Sequence, residues 1–145
     1  MTEAPDVEIE IPPKPEYVAL VRHVIGATAR LGGLGPDTVE NAKLAASEAS
    51  TNAVVVTARA ESDEHVRVTA ELQGDRIRLT VADRGRHEEP GEIVEETEPS
   101  SLDFTFERGL SLPLIRGLAD DVVLSEREGG GTIVSMTIVE GSPTG

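Results

Sequence analysis

The sequence predicts an α+β fold, a two-layer α/β sandwich in which helices cover one face of a mainly antiparallel mixed sheet. Strand-like and helix-like segments occur in blocks, in the order strand, two helices, two strands, loop, helix, two strands. Such segregation is typical of α+β domains. The chain has 145 residues, 38% of them hydrophobic, and a chain of this size buries roughly two thirds of its unfolded surface around one core. We therefore expect one domain over residues 1–145, with its core in residues 7–139.

The first two elements are a strand and a helix. Apolar and acidic residues alternate over residues 7–11, which predicts a half-buried strand. Pro12 and Pro13 end it, because they lack the N–H groups that a sheet requires. Apolar residues then recur at helical spacing over residues 15–31, and Gly32 and Gly33 end this helix.

The second helix is rich in alanine. Pro36 suits the first turn of a helix, and the helical pattern continues to about Ala58. Its predicted inner face carries Ala42, Ala46 and Ala49. Small side chains at these positions let a helix approach a sheet closely.

Four strands are predicted in the rest of the chain. Residues 65–72 and 76–82 alternate as strands and form a hairpin around Gly74 and Asp75. Residues 84–108 show neither period, and a segment of this length inside a domain is typical of a lid or binding loop. A short helix over 109–119 follows, then strands over 122–125 and 132–139, separated by a turn at 129–131.

Composition excludes several classes of function. The chain carries 27 acidic and 13 basic residues, a formal charge of −14, so direct nucleic-acid binding is not expected. It has no cysteine, which excludes disulfides, thiolate nucleophiles and cysteine-based zinc sites. No segment approaches the ~20 apolar residues of a membrane span. The N-terminal residues lack the pattern of a secretory signal, so a cytoplasmic location is expected.

Two polar groups in the sequence suggest a nucleotide site. Glu48 and Asn52 are four residues apart on the second helix and therefore share one face. A glutamate can deprotonate a nucleophile, and an amide oxygen suits a hard cation. Asp83 ends an apolar strand, where its carboxylate can accept a hydrogen bond from an exocyclic amine, and Gly85 lets the backbone approach a flat ring. The alternatives are a solvated helix face and an ordinary turn after a strand.

Two further segments belong to the same prediction. Gly109, Leu110, Ser111 and Leu112 open a helix directly after the long loop, where backbone N–H groups and the helix dipole favour a phosphate chain. The alternative is a simple helix cap. Thr132 places a hydroxyl after three glycines, although threonine is also common in strands for reasons of packing alone.

Taken in order, these segments resemble the motifs of one superfamily. They read SEASTNAV at 47–54, VADRG at 81–85, ERGLSLPLI at 107–115 and GGGT at 129–132. The chain is similar to the histidine-kinase-like ATPases of the Bergerat fold. Within them it resembles the small anti-sigma factors that act as serine/threonine protein kinases. The resemblance extends over residues 7–139.

This resemblance implies a role for each site residue. Asn52 would ligate Mg²⁺, Asp83 would bind the adenine amine of ATP with Thr132 in support, and Gly85 would leave room for the ring. Gly109, Leu110, Ser111 and Leu112 would hold phosphate through backbone N–H groups. Glu48 would be the general base toward a hydroxyl of a protein substrate, and Arg108 would stabilise the transferred phosphoryl group.

The resemblance also implies partners. These are an anti-anti-sigma protein of the STAS class as substrate, an alternative sigma factor that the chain sequesters when that antagonist is phosphorylated, and a second copy in a homodimer. Two positions depart from the family pattern, Arg86 and Ser111, each of which replaces a glycine. They favour an alternative, a regulatory binding protein with impaired nucleotide binding. A switch kinase that activates a phosphatase is a third reading.

The predicted ATP lid, residues 84–108, is unusually acidic. It holds eight acidic residues and three arginines, an excess of 8 − 3 = 5 negative charges. Because such a segment would repel bare triphosphate, we expect most of its acidic side chains to point to solvent. Arg108 would then be the lid residue that faces the phosphates.

Overall fold

The structure is a computed structural model that describes residues 4–85 and 111–141. Within these residues the chain forms a five-stranded sheet and three α-helices. The elements in chain order are β1 (Val7–Ile11), α1 (Val18–Leu31), α2 (Pro36–Arg59), β2 (Val66–Gln73), β3 (Arg76–Ala82), α3 (Ser111–Leu118), β4 (Asp121–Glu126) and β5 (Thr132–Val139). A short 3₁₀ turn, Pro15–Tyr17, precedes α1. Each predicted helix and strand is present, with its ends shifted by a few residues at most.

The sheet has the strand order β1-β2-β3-β5-β4. All four pairings are antiparallel, so the α+β prediction is confirmed, while the described strands show no parallel pair of the kind that a mixed sheet contains. The last strand inserts between β3 and β4. As a result Ala82, at the end of β3, pairs with Ile133, near the start of β5.

The helices cover one face of the sheet, as predicted. Alternation along the central strands turns a set of buried apolar side chains toward α1 and α2: Val66, Val68, Ala70, Ile77, Leu79, Val81, Met136 and Ile138. The opposite face is polar, and there the hydroxyls of Thr69 and Thr80 bond to each other across β2 and β3.

The alanines of α2 have the predicted role. Ala42, Ala45 and Ala46 are fully buried, and Ala49 and Ala53 nearly so. Without larger side chains in the way, α2 packs on β2, β3 and β5 and also contacts α1 and α3. Helix α2 therefore contacts the central strands of the sheet and both other α-helices of the described residues.

The start of α2 is fixed by a residue that is distant in sequence. The Gly35 N–H donates a hydrogen bond of 2.9 Å to Oε1 of Glu140, which follows β5. This bond and a second one from the Thr38 side chain lower the pKa of Glu140 from its ordinary value. A carboxylate at a helix N-terminus is favoured both by free N–H groups and by the helix dipole. Glu140 therefore joins the end of the sheet to the start of α2.

Among residues 4–85 and 111–141, no helix combines the length and the apolar character that a membrane crossing requires.

Candidate active site

The polar face of α2 carries the first half of the candidate site. Glu48 and Asn52 are both half-buried there, one turn apart. Their atoms Glu48 Oε1 and Asn52 Oδ1 are inaccessible to solvent and have no hydrogen-bond partner within the described part of the chain. Leaving a buried acceptor unsatisfied costs about 1–3 kcal/mol. Each such group in a native protein needs an explanation, and a catalytic role or a bound ion is one of them.

The same helix holds two more buried oxygens of this kind. Ser50 Oγ and Thr57 Oγ1 also lack a partner among the described residues, and both side chains are fully buried. Ser50 is two residues from both Glu48 and Asn52. It therefore points to a different side of the helix, and the pair Glu48 and Asn52 remains distinct from it.

Asp83 is held in a fixed position at the end of β3. It is 4% exposed. Its backbone N–H donates to the carbonyl oxygen of Thr132 at 2.9 Å, and its Oδ1 accepts from the Gly85 N–H at 2.9 Å. The second bond is a local side-chain-to-backbone turn that sets the direction of the carboxylate. The backbone of Thr132 thus lies beside Asp83, and Thr132 is itself half-buried. Its support of Asp83 at an adenine ring stays a prediction.

Gly85 has a structural requirement that the sequence did not indicate. A Cβ at this position would lie 2.6 Å from the backbone carbonyl carbon of Val56 and 2.8 Å from the backbone nitrogen of Thr57. The space on this side of Gly85 is therefore filled by α2, and glycine is needed for the approach of two backbones. The role of Gly85 beside an adenine ring stays a prediction.

This packing also brings the two halves of the site together. Val56 is one turn beyond Asn52 on α2. The segment from Asp83 to Gly85 therefore lies against the helix turn that follows Asn52.

The turn between β4 and β5 also packs against the segment from Asp83 to Gly85. Gly131 has a φ of +108°, and a Cβ there would lie 1.9 Å from the carbonyl oxygen of Asp83. Arg84 reaches into this turn, where its Nη1 donates to the carbonyl oxygens of Glu128 at 2.6 Å and Gly130 at 2.8 Å. The sequence showed three glycines and predicted a turn. It did not show that the turn packs against Asp83.

Arg127, in the same turn, belongs to none of the motifs that the sequence predicted for the site. Burial lowers its pKa, and the neighbouring cations Arg84 and Arg67 lower it further, whereas Asp83 and Glu64 act in the opposite direction. Its Nη1 is buried and has no hydrogen-bond partner within residues 4–85 and 111–141.

The predicted phosphate-binding segment is only partly described. Ser111 and Leu112 form the first turn of α3, which packs against α2. Gly109, Leu110 and Arg108 lie outside the described residues, as do Arg86 and the rest of the predicted lid beyond Gly85.

The residues present fit Mg-ATP. Asn52 offers a buried amide oxygen, a ligand type that Mg²⁺ accepts together with phosphate oxygens. Asp83 offers a buried carboxylate with a fixed direction, and a carboxylate accepts several hydrogen bonds, so its bond from Gly85 does not exclude an amine donor. Glu48 offers a second buried oxygen one turn from Asn52.

Comparison with known proteins identifies a family. The family described as the histidine kinase-like ATPase domain matches residues 11–138. The serine-protein kinase RsbW of Oceanobacillus iheyensis is 31% identical over 138 residues, covering 92% of this chain and 87% of that protein. RsbW of Bacillus licheniformis is 34% identical over 135 residues, covering 90% and 83%.

Two solved structures share the fold. The RsbU and RsbW domains of a Mycobacterium tuberculosis protein align with a TM-score of 0.66 and 18% identity, over 95% of this chain and 32% of that one. A chain of the SiaB–SiaC complex from Pseudomonas aeruginosa aligns with a TM-score of 0.64 and 12% identity, over 93% and 90%. At these identities the likeness concerns the fold alone.

Proposed function

The chain belongs to the histidine kinase-like ATPase family, in its branch of serine-protein kinases, and we propose that it uses Mg-ATP to phosphorylate an anti-anti-sigma protein of the STAS class. The observation that carries this proposal is the pair of buried oxygens, Glu48 Oε1 and Asn52 Oδ1, which have no partner among the described residues. They lie one turn apart on the helix that packs against Asp83 and Gly85.

We assign the residues to a phosphoryl transfer. When bound, Mg-ATP supplies the γ-phosphoryl group that passes to the substrate hydroxyl. Asn52 holds the cation through its amide oxygen, and Asp83 accepts the adenine amine, with Thr132 beside it. Glu48 accepts the proton of the substrate serine or threonine hydroxyl. The oxygen of that hydroxyl then bonds to the γ-phosphorus as ADP leaves. Such transfers depend mainly on positioning and charge stabilisation.

The segment around α3 completes the assignment. Backbone N–H groups of Gly109, Leu110, Ser111 and Leu112 hold the phosphates, and Arg108 stabilises the charge on the transferred group. An arginine is suited to this task because its planar guanidinium matches phosphate oxygens.

The function of the reaction is regulatory. We propose that the unphosphorylated antagonist keeps this chain from an alternative sigma factor, and that phosphorylation removes the antagonist so that the sigma factor is sequestered. The net charge of −14 supports such a partner, because an acidic surface complements the basic surfaces with which sigma factors contact DNA. A homodimer in the cytoplasm, with residues 1–145 as one ATPase domain, is part of the proposal.

The first experiment is isothermal titration with Mg-ATP. Binding at micromolar to low millimolar nucleotide supports a kinase, whereas no heat of binding at millimolar nucleotide contradicts it. That second result would favour the alternative that Ser111 and Arg86 suggest, a regulatory protein of the same fold that controls its partner by sequestration alone.

The second experiment identifies substrate and partner. The purified chain is used to capture proteins with and without ATP. Each captured protein is then purified and incubated with the chain and labelled ATP. Label on a serine or threonine of a STAS protein, mapped by mass spectrometry, supports the proposal. Label on a different class of protein would favour a switch kinase that controls a phosphatase.

A further inference from the structure

The turn between β4 and β5 contains three consecutive glycines, and all have positive φ: +89° at Gly129, +112° at Gly130 and +108° at Gly131. Glycine loses more conformational freedom on folding than any other residue. Such a turn therefore needs specific contacts to hold one conformation. It forms two hydrogen bonds of its own, each 2.9 Å long, from Arg127 N–H to Gly131 O and from Gly130 N–H to Arg127 O.

The segment that follows β3 adds further contacts to the turn. Arg84 Nη1 donates to Glu128 O at 2.6 Å and to Gly130 O at 2.8 Å. One nitrogen therefore donates both of its N–H groups to carbonyls that are two residues apart within the turn. A Cβ at Gly129 would lie 3.0 Å from this nitrogen, so the turn is shaped to receive the guanidinium.

Asp83, the residue before Arg84, depends on the same turn. Its N–H is bonded to Thr132 O, and its own carbonyl oxygen lies against Gly131. Its carboxylate is in turn directed by Gly85. A turn in another conformation would therefore displace the backbone that carries this carboxylate.

We propose that Arg84 is a positioning residue for nucleotide recognition: by binding the carbonyls of Glu128 and Gly130 it fixes the glycine turn, which holds Asp83 where its carboxylate accepts the 6-amino group of the purine. This inference rests on the proposed function. In this role Arg84 affects the selectivity for adenine through Asp83 rather than by contact with the nucleotide, and we expect binding of the phosphates to be independent of it.

The test compares Mg-ATP with Mg-ITP, whose base carries a carbonyl where adenine carries its amine. Arg84→Gln is expected to raise the Kd of Mg-ATP about tenfold, the effect of losing one charged hydrogen-bonding group, and to leave that of Mg-ITP unchanged. Arg84→Lys, whose ammonium can still donate to both carbonyls, is expected to recover part of the preference. Arg78→Gln is the matched control, because Arg78 is an exposed arginine of β3, the strand that precedes Arg84.

Two further measurements make the test independent of folding defects. In the free protein, hydrogen exchange of the amides of Asp83, Arg127 and Gly130 is expected to accelerate in Arg84→Gln. In an Asp83→Asn background, Arg84→Gln is expected to change the Kd of Mg-ATP no further. If Arg84→Gln does not unfold cooperatively, Arg84→Lys is compared with the wild-type chain in the same assays.

The outcomes separate the two proposals. A wild-type chain that binds neither nucleotide overturns the proposed function and this inference with it. A wild-type chain that prefers Mg-ATP, together with an Arg84→Gln variant of equal preference, overturns this inference alone. An equal loss of affinity for both nucleotides also overturns it, because that result indicates general damage to the site.

Discussion

Gly131 lies against the carbonyl oxygen of Asp83, so closely that a Cβ at position 131 would be 1.9 Å from it. The residue expected to recognise adenine is thus packed on a turn that begins 44 residues later, between Arg127 and Gly131. No side chain can enter this contact without moving one of the two backbones.

We therefore expect Gly131→Ala to weaken both folding and nucleotide binding. A non-glycine residue at this φ costs about 1–3 kcal/mol, and overlap with a packed backbone adds about 1–3 kcal/mol. The control is Gly130→Ala, because Gly130 has a φ of +112° but open space around its Cβ position. Urea unfolding and Mg-ATP titration of both variants check this. Equal losses in the two variants would show that the contact with Asp83 is unimportant.

Gly85 provides a second test, free of backbone strain. Gly85→Ala places a methyl group 2.6 Å from the backbone of α2 at Val56, and we expect it to lower the free energy of unfolding by about 1–3 kcal/mol. Gly117→Ala, in α3, meets nothing within 4 Å and is expected to stabilise by up to ~1 kcal/mol through helix propensity. Thermal unfolding gives the sign of each change. A stable Gly85→Ala variant would mean that α2 and the segment after β3 separate easily.

These contacts mark the limit of what could be predicted from the sequence. Period-two alternation was sufficient to place the strands and to choose their buried face, because Val68 and Val81 pair in register on the same side. The insertion of β5 between β3 and β4 is a long-range pairing, and a local pattern carries no information about it. The contact of Gly131 with Asp83 follows from that pairing, and the contact of Gly85 with Val56 follows from the packing of α2 on the sheet. The glycines were therefore visible in the sequence, but their requirements were not.

The site itself divides in the same way. Glu48 and Asn52 share a helix face, which their spacing determines, and the structure adds that an oxygen of each is buried without a partner among the described residues. The Arg84 side chain bonds to Glu128 and Gly130, which are 44 and 46 residues later in the sequence. No spacing rule identifies such a contact.

The lowered pKa of Glu140 predicts that the free energy of unfolding falls at acidic pH. Its pKa is lowered from an ordinary value of 4.5 by the bonds from Gly35 and Thr38. A carboxylate whose pKa is lowered in the folded state stabilises the fold above its unfolded pKa, and that contribution is lost as the pH falls through the folded value. We expect Glu140→Gln to lower stability at neutral pH and to remove part of the loss that the parent shows below about pH 4.5.

Urea unfolding between pH 7 and pH 3 measures this effect. Thr38→Val removes one of the two donors, and the double variant with Glu140→Gln is expected to show less than the sum of the two single losses. Strict additivity, or an unchanged pH profile in Glu140→Gln, would contradict the assignment of Glu140 as the cap of α2.

Glu48→Gln tests the chemical step. Loss of a general base is expected to reduce phosphorylation of the partner about 10²- to 10⁴-fold, while the Kd for Mg-ATP stays unchanged, because the proposed role of Glu48 is toward the substrate hydroxyl. Glu40→Gln is the control on the same helix, since Glu40 is exposed and forms a surface ion pair with Lys43 at 3.6 Å. Phosphorylation at the parental rate in Glu48→Gln would show that the base assignment is wrong.

Asn52 is expected to reveal a conflict between stability and function. Its Oδ1 is buried without a partner in the described part of the chain, and replacing an unsatisfied polar group by an apolar one of similar shape relieves a cost of about 1–3 kcal/mol. Asn52→Leu should therefore raise the free energy of unfolding of the nucleotide-free protein and at the same time abolish Mg-dependent ATP binding.

Ser50→Ala is the matched control for Asn52→Leu. Ser50 Oγ is equally buried and has no partner in the described part of the chain, but it points to another side of α2. It should gain stability and keep its affinity for Mg-ATP. Thermal unfolding and titration with and without Mg²⁺ distinguish the two variants. An Asn52→Leu variant that binds Mg-ATP as tightly as the parent would remove Asn52 from the cation site, and the oxygens on this face of α2 would need another explanation.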